Sequence, residues 1–351
     1  PGTEDPGRPS RPDIVATYLA RRVIGAVLML LVVSMVTFAI FFVVPLAAGG
    51  SAENLAARYV GRTAGSEEVA ETAERLGFND PLPVQYGRWL KGIVAGDDYD
   101  LGPTVEHCPA PCFGYSFINR SPVWPELLDR LPVTASLALG AAMIWLLAGV
   151  SIGVLSALRR GSFFDRTAMG VALSGVSLPI FFTGLLSLVI FSYGLGWTAS
   201  GGAYTPIEEN PASWAYDLIL PWVTLAFLFA AIYARLTRAG MLETMSEDYI
   251  RTARAKGLAE RRVIVKHGLR GALTPIVTIF GLDVSLLMGG AVLTESTFSL
   301  PGLGKYAIDA ITTNDLPKVM GVTMLTAVFV VFANLIVDVV YGVVDPRVRL
   351  G

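Results

Sequence analysis

The side chains that could do chemistry here are two cysteines with a histidine beside them, two acids inside apolar runs, and a glycine-lysine pair. The pair lies in Gly302-Leu303-Gly304-Lys305. A phosphate loop of the form Gly-x-x-x-x-Gly-Lys-Ser/Thr needs glycine where Ser299 stands and Ser or Thr where Tyr306 stands. No other stretch fits that pattern, so no nucleotide site, catalytic residue or bound cofactor is expected. His107-Cys108-Pro109-Ala110-Pro111-Cys112 offers three metal donors without a second Cys/His pair, a poor zinc signal. A Cys108–Cys112 bridge is the first reading, two free thiols the second, and no metal is expected. Asp283 and Asp338 interrupt otherwise apolar runs. A carboxylate within a membrane costs at least about 2.5 kcal/mol on insertion scales, so it faces protein or water. Asp338, near the end of its run, reads as structural. Asp283 lies mid-run with Leu287, Gly290 and Thr294 at i+4, i+7 and i+11, a single helical face. That face mixes an acid, a glycine and a hydroxyl, while Leu282, Leu286 and Leu293 form an apolar stripe. The mixed face is expected to line a path through the membrane, where the acid meets water, a partner side chain or a cationic cargo.

A second constellation sits in a charged loop, residues 241–270. A short helix through 248–256 places Tyr249, Ala253 and Lys256 on one face. Asp248 at its start and Lys256 at its end suit the helix dipole, and Gly257 ends it as a C′ glycine does. Such a small helix, with Ala in it and Gly at its end, can pack into another protein's groove. A plain positively charged loop is the alternative.

The elements that position these residues are apolar. Hydrophobic residues make up 53% of the chain and charged residues 16%, against about 25% charged in soluble domains. Mean hydropathy is +0.56. The net charge of −2 gives no bulk attraction to nucleic acid. Six apolar runs approach the ~20 residues that cross a bilayer: 23–44, 132–158, 167–197, 218–234, 271–294 and 319–344. The first is too long for a signal-peptide core and reads as a retained span. Continuous helical runs exclude a β-barrel, whose strands alternate over about 10 residues. The fold class expected is therefore all-α, a polytopic membrane protein with six transmembrane helices. Lys and Arg divide eighteen to nine between the two sides, and seven of the nine lie in one long loop. The richer side carries both termini and is the cytoplasmic one. The organisation expected is a disordered cytoplasmic leader at 1–17 and a permease domain at 18–351. Within that domain lie an outer loop, 45–131, and a cytoplasmic loop, 241–270. The outer loop holds an amphipathic stretch at 67–76 that stops at Asn79-Asp80-Pro81.

The charged loop resembles the "EAA" loop of ABC-importer permeases, with Arg251-Thr252-Ala253 in the Glu-Ala-Ala place and Gly257 as the glycine that follows. This version is similar to the oligopeptide/dipeptide/nickel permease family. Further blocks carry the resemblance along most of the chain: Tyr18 to Arg22, Leu76 to Pro83, Leu131 to Thr134, Ser177-Leu178-Pro179, Glu295 to Gly304, and Asp345-Pro346-Arg347. The chain departs from the family where a compact Gly-Asp-Leu-Gly is split as Gly96-Asp97-Asp98-Tyr99-Asp100-Leu101-Gly102, followed by the cysteine-bearing insertion.

The resemblance implies a type I ABC-importer permease fold in a bacterial inner membrane. It implies that Asp248, Tyr249, Arg251, Thr252, Ala253, Lys256 and Gly257 dock into a cleft of an ATPase subunit. The partners implied are a second homologous permease in a heterodimer, two cytoplasmic ATP-binding subunits and an external substrate-binding protein. Di- and oligopeptides are the cargo expected, with nickel chelates, glutathione and oligosaccharides as alternatives. The chain itself is then no enzyme. A proton-coupled secondary transporter using Asp283 or Asp338 is the reading from another class, and it gives no reason for the 249–257 block.

Overall fold

The computed structural model describes residues 11–60, 65–100 and 105–344. Helix α1, Arg11–Phe38, continues through a π-helical turn, Ala39–Val43, into α2, Val44–Ala47. It begins inside the expected leader, so residues 11–17 are helical, while 1–10 lie outside the described residues. The long apolar run explains this: a helix satisfies its own backbone in lipid and extends until sequence stops it.

The segment between the first two apolar runs is ordered into α3 (Ala52–Val60), α4 (Ser66–Arg75) and α5 (Leu82–Ala95). The expected amphipathic stretch is α4, closed by Gly77 at φ +66. Two antiparallel hairpins follow, β1 (Asp97–Asp100) with β2 (Val105–Cys108), and β3 (Tyr115–Ser116) with β4 (Ser121–Pro122). Asp97 faces Cys108 and Asp98 faces His107 across the first pair. The helical fold thus carries a small β addition that the apolar periodicity did not signal. A disulfide joins Cys108 to Cys112.

Helix α6, Val123–Leu158, starts before the expected Pro132 and contains that proline. The third apolar run is not one helix. It divides into α7 (Phe163–Ser177) and α8 (Ile180–Ser187), the latter extended by a π-helical turn to Gly194, and the halves meet at 103°. Pro179 causes the break: it forces Leu178 out of the helical region, to ψ 132. Helix α9, Pro211–Thr244, is capped by Asn210, whose Oδ1 accepts from the amides of Ala212 and Ser213. Then come α10 (Asp248–Ala255), α11 (Glu260–Arg262) with a π-helical turn Val263–Gly268, and α12 (Leu269–Met288), bent by 51° ahead of Pro275. The chain ends in α13 (Val292–Thr297), α14 (Leu303–Thr313) and α15 (Leu316–Val344). Among the described residues four helices are long and apolar enough to cross a membrane, and six spans result if each bent pair counts as one.

The centre of the fold is α6 against α9. Gly149 and Gly153 of α6 let α9 approach so closely that an added Cβ would stand 2.6 Å from Tyr233 Cβ and from Ala234 O. Gly140 does the same for Trp222. Small residues are how membrane helices pack without a hydrophobic drive between them. Trp145, Leu137, Leu218, Leu225, Tyr233 and Ile276 fill the space beside this seam. A second cluster, with Phe38, Phe42, Leu55, Phe78 and Met320, fastens the α3–α5 segment to α1 and α15. Buried Lys318 adds polar joints there, 3.2 Å from Glu126 Oε2 and 3.5 Å from Asp315 Oδ2, while Ser116 donates to Asp315 at 2.5 Å.

Candidate coupling segment and translocation path

Helix α10 stands between α9 and α12 and is held by one apolar face. Ile250 and Ala253 are buried against Val263, with Met245 and Leu258 beside them. Arg254 clamps the far side, its Nη2 2.7 Å from Glu260 Oε1 and its Nε 3.1 Å from Glu260 Oε2. Lys256 closes the helix, its amide bonded to Thr252 O, and Gly257 follows at φ +75. This is the cap that the sequence predicts. Asp248 and Arg254 occupy the first and last turns with the signs that suit the helix dipole.

Two details differ from expectation. Ala253 belongs to the buried face, so it seats the helix on its own chain and is not presented outward. Tyr249 is 47% exposed, and Arg251, Thr252 and Lys256 are exposed with Asp248, so the outward surface is polar and basic. The Tyr249, Ala253, Lys256 face is therefore split, because Ala253 is buried with Ile250 while Tyr249, whose hydroxyl donates to His267 O at 3.5 Å, and Lys256 are exposed. Gly257 also has open space around its Cα, so its requirement comes from its positive φ and not from close packing inside this chain.

The membrane acid Asp283 is half-buried on α12 and accepts from Tyr233 Oη at 2.8 Å. Tyr233 is fully buried on α9, beside Trp145 of α6, with ring centroids 6.2 Å apart. Helices α9 and α12 therefore meet at this carboxylate, with α6 packed against the Tyr233 ring. The expected face of Asp283, Leu287, Gly290 and Thr294 does not survive as a continuous surface. Helix α12 ends at Met288, Gly290 takes φ +120, and Thr294 lies buried in α13. An added Cβ at Gly290 would stand 2.6 Å from Gly304 N, so the backbone turns here to let the 302–304 segment in. Only Asp283 and Leu287 remain on one helix. The side chain of Asp338 lies outside the described residues, as do residues 345–347.

Sequence reasoning missed the carboxylate that organises this turn. Glu295 of α13 is fully buried. Its Oε1 accepts from Thr134 Oγ1 at 2.8 Å, and its Oε2 accepts from the Lys305 amide at 3.0 Å. Thr134 Oγ1 in turn accepts from the Leu303 amide at 2.8 Å. Gly302 lies directly over the carboxylate and Gly304 over the Val292 backbone. The glycine-lysine segment is thus a structural clasp between α6, α13 and α14. Its glycines were the one available signal. A second missed pair joins α9 to the α6–α7 turn, where Arg238 grips Asp165.

In the cysteine-bearing insertion, His107 Nδ1 lies 2.7 Å from Asp98 Oδ1. Among the described residues no group of three or more His, Cys, Asp and Glu side chains is arranged for a metal. Burial and then the neighbouring Asp97 push the Tyr99 hydroxyl above its ordinary range.

Known proteins are similar to this chain in sequence and in fold. A family described as "Binding-protein-dependent transport system inner membrane component" matches residues 149–350, and its N-terminal companion matches residues 15–138. The "Dipeptide transport system permease protein DppB" of Escherichia coli K12 is 39% identical over 305 residues, 81% of this chain and 86% of that one. The "Di/tripeptide transport system permease protein DppB" of Pseudomonas aeruginosa UCBPP-PA14 is 37% identical over 352 residues, 95% of this chain and 98% of its own. Among solved structures, the inward-facing MetNI methionine ABC transporter aligns with a TM-score of 0.51 at 19% identity, over 63% of this chain and 97% of that chain, a likeness of fold.

Proposed function

The chain belongs to the family of inner-membrane components of binding-protein-dependent transport systems, and on that premise we propose that it imports di- and oligopeptides and is driven through α10. As a permease of this ABC class it works with ATP-binding and substrate-binding proteins. The finer assembly proposed is a heterodimer with a second permease, two ATP-binding subunits on the α10 side and a binding protein on the other. Both termini then lie in the cytoplasm, as the excess of Lys and Arg on that side favours. The chain itself carries out no chemical reaction; hydrolysis belongs to its partners. Peptide cargo is supported by the two relatives named for dipeptides and di- or tripeptides.

The observation that carries the reading is the exposed, glycine-capped α10. It is short, braced by Arg254–Glu260, and offers Asp248, Arg251, Thr252 and Lys256 to a partner. A helix braced on one face and polar on the other transmits a push as a rigid body. Asp283 and Leu287 are proposed to line the path, with Gly290 and Thr294 supporting the turn beside it. A photo-cross-linker at Thr252 tests the docking in the assembled transporter. It is expected to join the ATP-binding subunit, whereas cross-links only to lipid or to the external protein overturn the assignment.

A further inference from the structure

The turn that joins α6 to α7 carries positive charge that the chain itself does not neutralise. Helix α6 ends at Leu158 and α7 begins at Phe163. The residues between are tightly held. The Ser162 amide donates to Arg159 O at 3.0 Å, Gly161 takes φ +77, and Ser162 Oγ accepts from the Asp165 amide at 3.2 Å. Arg159, Arg160 and Arg166 are exposed on this turn. The one acid among them, Asp165, is buried and already gripped by Arg238, with Arg160 adding an electrostatic contribution from outside. Among the described residues none of the three exposed arginines has an ion-pair partner. Asp165 is thus committed to Arg238, and three guanidiniums are left over.

The second feature is apolar and lies among those charges. Phe163 is 85% exposed, more than any other large hydrophobic side chain among the described residues, and Phe164 beside it is exposed too. Where the turn sits says what covers these rings. Helix α6 is long and apolar enough to cross a membrane, and α7 with α8 forms one bent span. Residues 159–162 are therefore where the chain leaves the bilayer and re-enters it. The exposed apolar surface of both spans runs up to this point. Leu155 and Leu158 are exposed at the end of α6, and Val171 lies on the stripe of α7 that begins with Phe164. Phe163 thus stands at the margin of the lipid-facing surface, with the arginines at the level of the headgroups. Aromatic rings settle at that boundary, and arginine stems extend along it to keep their charge in the polar layer.

We propose that this turn binds the phosphate of an anionic phospholipid headgroup at the membrane surface. Arg159, Arg160 and Arg166 hold the headgroup, since a guanidinium donates two parallel hydrogen bonds to a phosphate, and Phe163 seats among the upper acyl chains. The bound lipid steadies a turn that Arg238 ties to α9, the helix that leads into α10. A protein partner is the competing occupant, because that tie places the turn at the α10 end of the molecule. The continuity of Phe163 and Phe164 with the apolar surface of the spans favours lipid. The proposal stands apart from the docking of α10, and its failure leaves that role untouched.

The test uses the assembled transporter in phosphatidylcholine nanodiscs doped with photoactivatable phosphatidylglycerol, or with photoactivatable phosphatidylcholine as the zwitterionic control. Cross-links are mapped by peptide mass spectrometry. Phosphatidylglycerol is expected to label the 158–166 peptide several-fold more than phosphatidylcholine does, and added salt is expected to shrink that preference. Each basic residue near an anionic surface strengthens binding about fivefold. Arg159→Gln/Arg160→Gln/Arg166→Gln is therefore expected to lower the preference about tenfold or more, with labelling at exposed Tyr193 and Trp197 unchanged. Should the triple variant fail to assemble, Arg159→Gln alone is expected to lower it about two- to fivefold. Equal labelling by the two lipids, or a preference for phosphatidylglycerol that the variants leave intact, overturns the proposal. Benzoylphenylalanine in place of Phe163 supplies the protein arm. Its capture of phospholipid is the expected result, and capture of the ATP-binding subunit in place of phospholipid overturns the proposal.

Discussion

Arg238 of α9 grips Asp165 at the start of α7 with two parallel hydrogen bonds, Nε to Oδ1 at 2.7 Å and Nη2 to Oδ2 at 2.8 Å. Asp165 is 3% exposed and also accepts from the Gly161 amide at 2.9 Å. The pair locks the α6–α7 turn to the helix that leads into α10. Bidentate geometry is specific to arginine. Asp165→Asn is expected to lower the melting temperature by several degrees and to uncouple ATP hydrolysis from transport. Arg238→Lys, which keeps the charge but loses the fork, is expected to do so to a lesser degree. Thermal denaturation and ATPase assays of the assembled transporter check both; unchanged coupling in Asp165→Asn counts against the lock.

Gly257 separates conformation from packing. Its φ of +75 suits Gly and, less well, Asn, and nothing in the chain crowds its Cα. Transport is expected to fall in the order Gly, Asn, Ala, Glu. Gly257→Ala should cost about 1 kcal/mol locally, and Gly257→Glu should abolish uptake while the protein still inserts. Full transport by Gly257→Glu contradicts a docked α10.

Asp283 is anchored by the Tyr233 hydroxyl, so charge and hydrogen bonding can be tested apart. Asp283→Asn keeps an acceptor and removes the charge. It is expected to reduce uptake of cationic peptides several-fold relative to neutral ones, with assembly intact. Tyr233→Phe leaves the charge and is expected to affect all cargo alike. Equal uptake of every peptide by Asp283→Asn removes the charge from the path.

How much of this was legible follows the range of the interactions. The cap at Gly257 and the acidic start at Asp248 are local signals, and α10 follows from them within a residue. The face drawn through Asp283, Gly290 and Thr294 assumed an unbroken helix. What breaks it is non-local: Gly290 yields to Gly304, which no periodicity reveals. Glu295 finds Thr134 161 positions away. An acid near the end of an apolar run gives no sign in sequence that it is buried. The bend at Pro179 was present in the sequence as Leu178-Pro179, but an uncharged run outweighs a single proline when only hydropathy is counted. Hairpins β1–β2 and β3–β4 are polar and short, and neither shows an apolar alternation.

The clasp around Glu295 makes an opposite prediction for its glycines. At Gly304 an added Cβ would lie 2.7 Å from Val292 Cα, a backbone atom that cannot swing aside. Gly304→Ala is expected to destabilise by about 1–3 kcal/mol, as overpacking does. Gly161→Ala, whose glycine has open space around it at φ +77, should cost less. Denaturation in detergent compares the two, and equal losses would show that the close approach carries no energy.

The central claim is that movement of cargo is powered by ATP on the α10 side and delivered through α10. The most direct measurement is uptake of a labelled dipeptide by proteoliposomes that contain the permease pair, the ATP-binding subunits and the binding protein. The account predicts uptake only with ATP on the α10 side, no loss with an uncoupler, and none in Gly257→Glu. Uptake that persists without ATP and collapses with the uncoupler would contradict it and place the driving force in a proton carried by an acid such as Asp283.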